Sequence, residues 1–144
     1  MLNAFIWGSL KPGQVIKIPY EFQQEGRKPR RFLVIGVEED NFLLHTCSMT
    51  GQVQKYGERD DIYVLKEDQH SLLTKETVVA SDDIVSLTKQ DLNRAKGKIE
   101  IGEDLDTVSM LAILRNLEKS KLVKKSIKRE FVRPLIEELG GAGG

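Results

Sequence analysis

The 144-residue sequence lacks the features that mark membrane and secreted proteins. Its longest apolar runs are about five residues, far short of the ~20 that a membrane-spanning helix needs. A single cysteine, Cys47, excludes an internal disulfide and favours a reducing compartment. Residues 1–10 contain neither a basic start nor a small-residue cleavage site, so we expect no signal peptide. These absences together predict a cytoplasmic protein with no membrane contact.

The signatures of several enzyme classes are also missing. The sequence contains no glycine-rich phosphate loop of the G-x-x-x-x-G-K-[ST] or G-x-G-x-x-G type and no G-x-S-x-G nucleophile elbow. His45 and His70 do not have H-E-x-x-H spacing, and there is no C-x-x-C pair, so we expect no metal site and no cofactor. We interpret Cys47 as a small core residue rather than as a nucleophile.

The charges balance over the whole chain but are unevenly distributed along it. The 22 basic and 22 acidic residues give a net charge of zero, which excludes any binding argument based on the whole molecule. Residues 10–31 and 115–133 are strongly basic, whereas residues 36–70 are acidic. The two basic stretches either form a phosphate-binding surface or are a charged hairpin loop and a solvated helix face.

The first ~85 residues are typical of β structure. Residues 15–20 alternate in polarity after the turn signal Lys11-Pro12-Gly13, and the apolar run 32–37 is typical of a strand buried on both faces. Further short strands are predicted over residues 42–47, 61–65, 77–80 and 84–87, the last two as separate pieces or as one strand with a bulge. This number of short strands predicts a small barrel or a sandwich.

The remainder of the chain is typical of helices. Thr88 can cap a short helix that ends at Gly97, and apolar residues recur at helical spacing from Val108 onward. Pro134 should kink or break the last helix near Arg133, because proline lacks an N–H group. We expect three regions: a barrel with one short helix over 1–99, a helical extension over 100–139 that packs on the barrel or on a partner chain, and a flexible glycine-rich tail over 140–144.

Four segments, taken in order, resemble the MazF/PemK-like family, the small-barrel toxins of toxin–antitoxin pairs. They are the strand phrase 11–22, the charged loop and strand 26–36, the strand end 45–50, and the segment 78–84 followed by the helix over 88–98. Together they cover about residues 10–99. The resemblance implies a mainly β fold with C-terminal α-helices, in which a small SH3-like barrel carries a helical tail. It also implies a homodimer and an antitoxin protein as partner.

The resemblance further implies a metal-independent endoribonuclease that cleaves single-stranded RNA. In this reaction an RNA 2′-OH attacks the adjacent phosphate, which requires a base, an acid and a cation. At the matching positions Arg30 would stabilise the phosphate and is a candidate acid, Glu25 would be the base, Ser48 would contact the phosphate, and Asp82 matches the family's acidic residue. Further candidate RNA contacts are Arg27, Lys28, Arg31, Thr46 and Thr50, together with Lys124, Lys125 and Lys128 of the basic helical run.

Two departures from the family pattern leave alternatives open. Ala80 stands where some members carry an arginine, and the loop ends in Pro29-Arg30-Arg31, so a slip of one residue would make Arg31 the relevant cation. The alternative function is a non-catalytic barrel that binds nucleic acid or a protein, such as a phage or plasmid accessory protein. A third is an interaction module that dimerises through its helices. The basic helical run could equally receive an acidic antitoxin segment.

Overall fold

The computed structural model describes residues 9–22, 26–51, 62–94 and 98–142, apart from the side chains of 20–22, 26–28, 80–83 and 141–142. Within these residues, six antiparallel strands form a curled half-barrel sheet with the strand order β4-β5-β3-β2-β1-β6. The strands are β1 (Gln14–Phe22), β2 (Gly26–Glu38), β3 (Leu43–Thr50), β4 (Ile62–Leu65), β5 (Thr77–Thr88) and β6 (Glu100–Asp104). The predicted fold class, mainly β with C-terminal helices, is confirmed.

Strand β2 runs through the middle of the sheet and is buried on both sides, as its continuous apolar run predicts. Leu33 and Ile35 belong to one apolar cluster, and Phe32 and Val34 belong to another. All four side chains have no exposed surface. Because successive residues of a strand point to opposite faces, the sheet separates two cores.

The helices divide unequally between the two faces of the sheet. Helix α1 (Lys89–Arg94) contributes Leu92 to the cluster that contains Phe32, and we call this side the α1 face. The other side, which we call the helical-layer face, is covered by the C-terminal helical segments. These are α2 (Thr107–Lys119), α3 (Lys125–Ile127), a π-helical segment (Lys128–Val132) and α4 (Arg133–Ala142). None of the described helices is long and apolar enough to cross a membrane.

The kink expected near Arg133 takes the form of the π-helical segment. Proline at position 134 has no N–H group and would clash with the carbonyl four residues earlier in a regular α-helix. The helix widens to a π-helix before Pro134, and the N–H of Arg133 donates to the carbonyl of Lys128, five residues back. The helix then continues as α4 without a break.

The sheet and the last helix both extend further than the sequence pattern indicates. Strand β6 pairs with β1, so residues 100–104 belong to the sheet rather than to a helical extension. Its sequence E-I-G-E-D contains a single apolar residue, which is why no alternation marks it as a strand. Helix α4 runs to Ala142 and thus includes Gly140, where a flexible tail was expected.

Candidate functional site

Arg30, Ser48 and Thr50 lie on one face of the sheet, on the neighbouring strands β2 and β3. Phe32 pairs with Ser48, and the same register continued by two residues sets Arg30 beside Thr50. Phe32, which lies two residues after Arg30 and pairs with Ser48, points to the same face and lies in the α1-face core. All three candidate side chains are half-buried. Because diagonal neighbours in a sheet are ~7–8 Å apart, Arg30 and Ser48 are within reach of one phosphate group.

A bulge in β5 brings a third segment beside Ser48. Cys47 pairs with Ile84 and Met49 pairs with Val79, so β5 advances by five residues while β3 advances by two. The four residues 80–83 therefore lie opposite the single residue Ser48, and they include the candidate acid Asp82. Bulges of this kind are frequent next to active sites, because they redirect side chains and interrupt pairing. One strand with a bulge is one of the two arrangements expected from the sequence.

The β1–β2 ribbon extends beyond Arg30 and contains the remaining basic loop residues. Lys28 pairs with Tyr20 and Arg27 with Glu21, so both lie on a two-stranded ribbon that leads away from Arg30. Their side chains lie outside the described ones, and Glu25, the candidate base, lies outside the described residues altogether. The backbone therefore places the two cations at the same end of the sheet as Arg30.

Arg31 faces away from this site. It pairs with Met49 and Lys17, on the helical-layer face. Its Nε–H donates a hydrogen bond to the carbonyl oxygen of Leu72 in the β4–β5 loop, at 2.5 Å. A guanidinium engaged by a backbone carbonyl on that face is separated from Ser48 by the sheet itself. The register thus distinguishes the two arginines, and Arg30 is the one beside Ser48.

Four other candidate contacts, one threonine and three lysines, are also placed away from the site. Thr46 has no exposed surface, and its hydroxyl donates to the carbonyl of Val85 at 2.8 Å, so we leave it out of the site. The lysines Lys124, Lys125 and Lys128 lie around α3, on the helical-layer side of the molecule. Cys47 is completely buried in the core, which confirms its interpretation as a core residue.

His45 joins β3 to the helical layer rather than to the candidate site. Its Nδ1 lies 2.8 Å from the hydroxyl oxygen of Ser86, and its Nε2 lies 3.2 Å from a carboxylate oxygen of Glu38. The ring packs against Phe131 of the π-helical segment, with 4.9 Å between centroids. A hydrogen bond from Asn41, and then the nearby His45 ring, lower the pKa of Glu38 below its ordinary value of 4.5. The packing of the buried His45 ring on Phe131 therefore joins the sheet to the π-helical segment.

No pattern in the sequence indicates the contacts made by His70. Its side chain is buried, and its Nε2 lies 2.8 Å from the carbonyl oxygen of Glu103 on β6. The residues that it joins are far apart in the chain, so no local pattern could reveal them. Among the described residues, no group of three or more histidine, cysteine or acidic side chains could hold a metal ion.

The architecture has a counterpart among solved structures. No family model matches the sequence, and no curated protein matches it. A chain of the MazE-MazF crystal structure (form III) from Deinococcus radiodurans matches with a TM-score of 0.55, covering 75% of this chain and 92% of that one. The fold is MazF-like.

The MazF-like fold agrees with the family resemblance of the four sequence segments. The two chains are 18% identical, and at this level the likeness establishes the fold alone. The function of the MazF-like barrel in this protein therefore depends on its own residues, above all Arg30, Ser48 and the bulge at 80–83.

Proposed function

We propose that this protein is a MazF-like endoribonuclease of the toxin–antitoxin type, which cleaves single-stranded RNA without a metal ion. The observation that supports this is the common face of Arg30 and Ser48 on adjacent strands, with the β5 bulge opposite Ser48. A phosphate bound there would meet a cation from β2, a hydroxyl from β3 and the residues of the bulge. The basic ribbon that contains Arg27 and Lys28 extends from the same end of β2.

The proposed reaction is an internal transfer at phosphorus. The 2′-oxygen attacks the adjacent phosphorus and the bond from phosphorus to the 5′-oxygen breaks, which leaves a 2′,3′-cyclic phosphate and a 5′-hydroxyl. Glu25 takes the 2′ proton, and the leaving oxygen takes up a proton from water. An arginine keeps its proton at any ordinary pH, so Arg30 acts by donating N–H bonds to the phosphate oxygens and the leaving oxygen. The hydroxyl of Ser48 donates to a phosphate oxygen, and Asp82 belongs to the bulge opposite Ser48.

The test is cleavage of a long single-stranded RNA in the presence of EDTA. Removing one donor that stabilises developing charge typically reduces the rate by about 10²–10³-fold, and we expect this loss from Arg30→Ala. The matched control is Arg115→Ala, which removes an exposed arginine of α2 and should leave the rate unchanged. Loss of cleavage on Arg31→Gln with Arg30→Ala still active would place the site on the other face and contradict the proposal.

A second candidate function is a barrel that binds RNA or a protein partner without cleaving it. Ala80, the first residue of the β5 segment opposite Ser48, favours it, because some family members carry an arginine at the matching position. In this case folded wild-type protein binds single-stranded RNA and leaves it intact. The solved counterpart is part of a MazE-MazF complex. In either case we therefore propose that this protein forms a homodimer and has an antitoxin-like protein partner. Measuring the molar mass in solution, alone and with the partner, tests both.

A further inference from the structure

Five lysines form a ridge around the connection between α2 and α3. We call this surface the lysine ridge, and it consists of Lys119, Lys121, Lys124, Lys125 and Lys128. The sequence contains no acidic residue between Lys119 and Arg129, although the chain as a whole has equal numbers of acids and bases. The ridge is therefore a local concentration of positive charge in a protein with no net charge.

The lysines of the ridge have no acidic partner among the described residues. None of the five takes part in an ion pair there, and the nearest acids in sequence are already engaged: Glu118 by Arg133 at 2.9 Å, and Glu130 by Arg129 at 3.8 Å. Four of the lysines are exposed, and Lys128 is half-buried. Like charges held close together repel one another, so this arrangement costs stability that a bound anion would restore.

The backbone beneath the ridge is held in place by hydrogen bonds and by the core. The N–H of Ser120 donates to the carbonyls of Asn116 and Leu117, and the N–H of Leu122 donates to the Ser120 hydroxyl at 3.2 Å. Val123 is buried in the apolar core of the helical-layer face. The lysines therefore project from a fixed backbone, which reduces the entropy lost when they bind a ligand.

The ridge and the candidate site lie on opposite sides of the sheet. Val123 and Ile127, beneath the ridge, pack in the same core as Leu33, whereas Arg30 and Ser48 lie on the α1 face. A single phosphate cannot contact both surfaces. A ligand that uses both must be a long polyanion that passes around the molecule.

The composition of the ridge indicates the class of ligand. Lysine is depleted at protein–protein interfaces, which depend on apolar and aromatic anchors, but it is a common contact of nucleic-acid phosphates. Leu122 is the one exposed apolar side chain between Lys119 and Lys128, and the ridge has no aromatic residue for base stacking. We propose that the lysine ridge binds the sugar-phosphate backbone of single-stranded RNA outside the cleavage site, without regard to base sequence. The choice of RNA as the natural polyanion rests on the proposed function.

The first test measures binding of a labelled single-stranded DNA of about 20 nucleotides, which has no 2′-OH and cannot be cleaved by the proposed mechanism. The variant Lys121→Gln/Lys124→Gln/Lys125→Gln should bind more weakly. It should also reduce the slope of log K against log salt by about 2, since each phosphate contact on a single strand contributes about 0.7. The control variant Lys66→Gln/Lys75→Gln/Lys98→Gln removes the same charge from exposed lysines elsewhere and should keep the wild-type slope.

The second test compares cleavage of a long RNA with cleavage of an RNA of about five nucleotides. The ridge variant should raise KM for the long RNA and leave both kcat and KM for the short one unchanged. If wild-type protein cleaves no RNA but the ridge variant still loses DNA binding, the proposed function fails and the ridge assignment stands. The assignment would be overturned if wild type and ridge variant bound DNA equally well, or if the control variant lost as much binding as the ridge variant. A preference of the wild-type protein for an acidic peptide over DNA would overturn it as well.

Discussion

His70 and Glu103 connect the two edges of the sheet. His70 lies in the loop after β4, the first strand in the sheet order, and Glu103 lies on β6, the last. The N–H of Leu72 donates to Nδ1 of His70 at 3.0 Å, so the ring proton is on Nε2, which donates to the carbonyl of Glu103 at 2.8 Å. The loop thus pairs an edge carbonyl that would otherwise be open and closes the half-barrel at this point.

Replacing His70 should destabilise the protein. The change His70→Ala leaves the N–H of Leu72 and the carbonyl of Glu103 without their partner, and we expect the free energy of unfolding to fall by about 1–3 kcal/mol. Denaturant unfolding measures this, with Glu67→Ala in the same loop as an exposed control. A His70→Ala protein as stable as wild type would show that the loop does not depend on this residue.

Gly36 should not tolerate a side chain. A Cβ atom at this position would lie 2.3 Å from the ring of Phe131, so Gly36→Ala forces the π-helical segment away from β2. We expect a loss of about 1–3 kcal/mol in the free energy of unfolding, the usual cost of overpacking. Adding Phe131→Leu, which replaces the clashing ring by a smaller side chain, should restore part of the lost free energy of unfolding.

Gly140 provides the matched control for Gly36. A Cβ atom there meets nothing within 4 Å, and the residue lies inside α4. Gly140→Ala should therefore leave stability unchanged or raise it by up to about 1 kcal/mol, because alanine favours helix more than glycine does. Equal destabilisation by the two substitutions would contradict the role assigned to Phe131.

Protonation of Glu38 should destabilise the protein in acid. A hydrogen bond from Asn41, and then the nearby His45 ring, lower the pKa of Glu38 in the folded protein below the ordinary 4.5. Its contribution is therefore fully present above pH 4.5 and is lost as the pH falls through the lower folded value. Glu38→Gln should make the free energy of unfolding less dependent on pH below 4.5, whereas substitution of the exposed Glu39 by Gln should have little effect. If the free energy of unfolding of Glu38→Gln depended on pH below 4.5 as it does in wild type, Glu38 would not be the group responsible.

Substitution of Ser48 should affect RNA cleavage, whereas substitution of Thr46 should affect stability. Ser48 is half-buried beside Arg30, so Ser48→Ala should reduce RNA cleavage by about 10-fold or more and leave the melting temperature unchanged. Thr46→Val removes the donor to the Val85 carbonyl and should lower the free energy of unfolding by about 1 kcal/mol while folded molecules keep their activity. Cleavage rates and thermal unfolding of both variants test this. The reverse result would place the functional hydroxyl at position 46.

Much of the fold could be predicted because local patterns reflect local geometry. The apolar run of β2 indicates burial on both faces, and Pro134 indicates a distortion of the last helix, since a missing N–H acts within a single turn. Strand β6 could not be predicted in this way. A short edge strand with one apolar residue is stabilised by its pairing with β1 and by the contact with His70, and both partners are far away in the chain.

In the candidate site, too, some features follow from local sequence and others depend on pairing between distant segments. The sequence alone requires Arg30 and Arg31 to face opposite sides of the sheet, because adjacent residues of a strand alternate. The tertiary structure decided which face each one takes, since the register between β2 and β3 sets Phe32 opposite Ser48, and the β5 bulge sets residues 80–83 beside it. It also placed the basic helical run on the other side of the molecule, because Val123 and Ile127 are buried in the helical-layer core. Composition and periodicity determine which residues are buried and which are charged, but pairing between distant segments determines which of them meet.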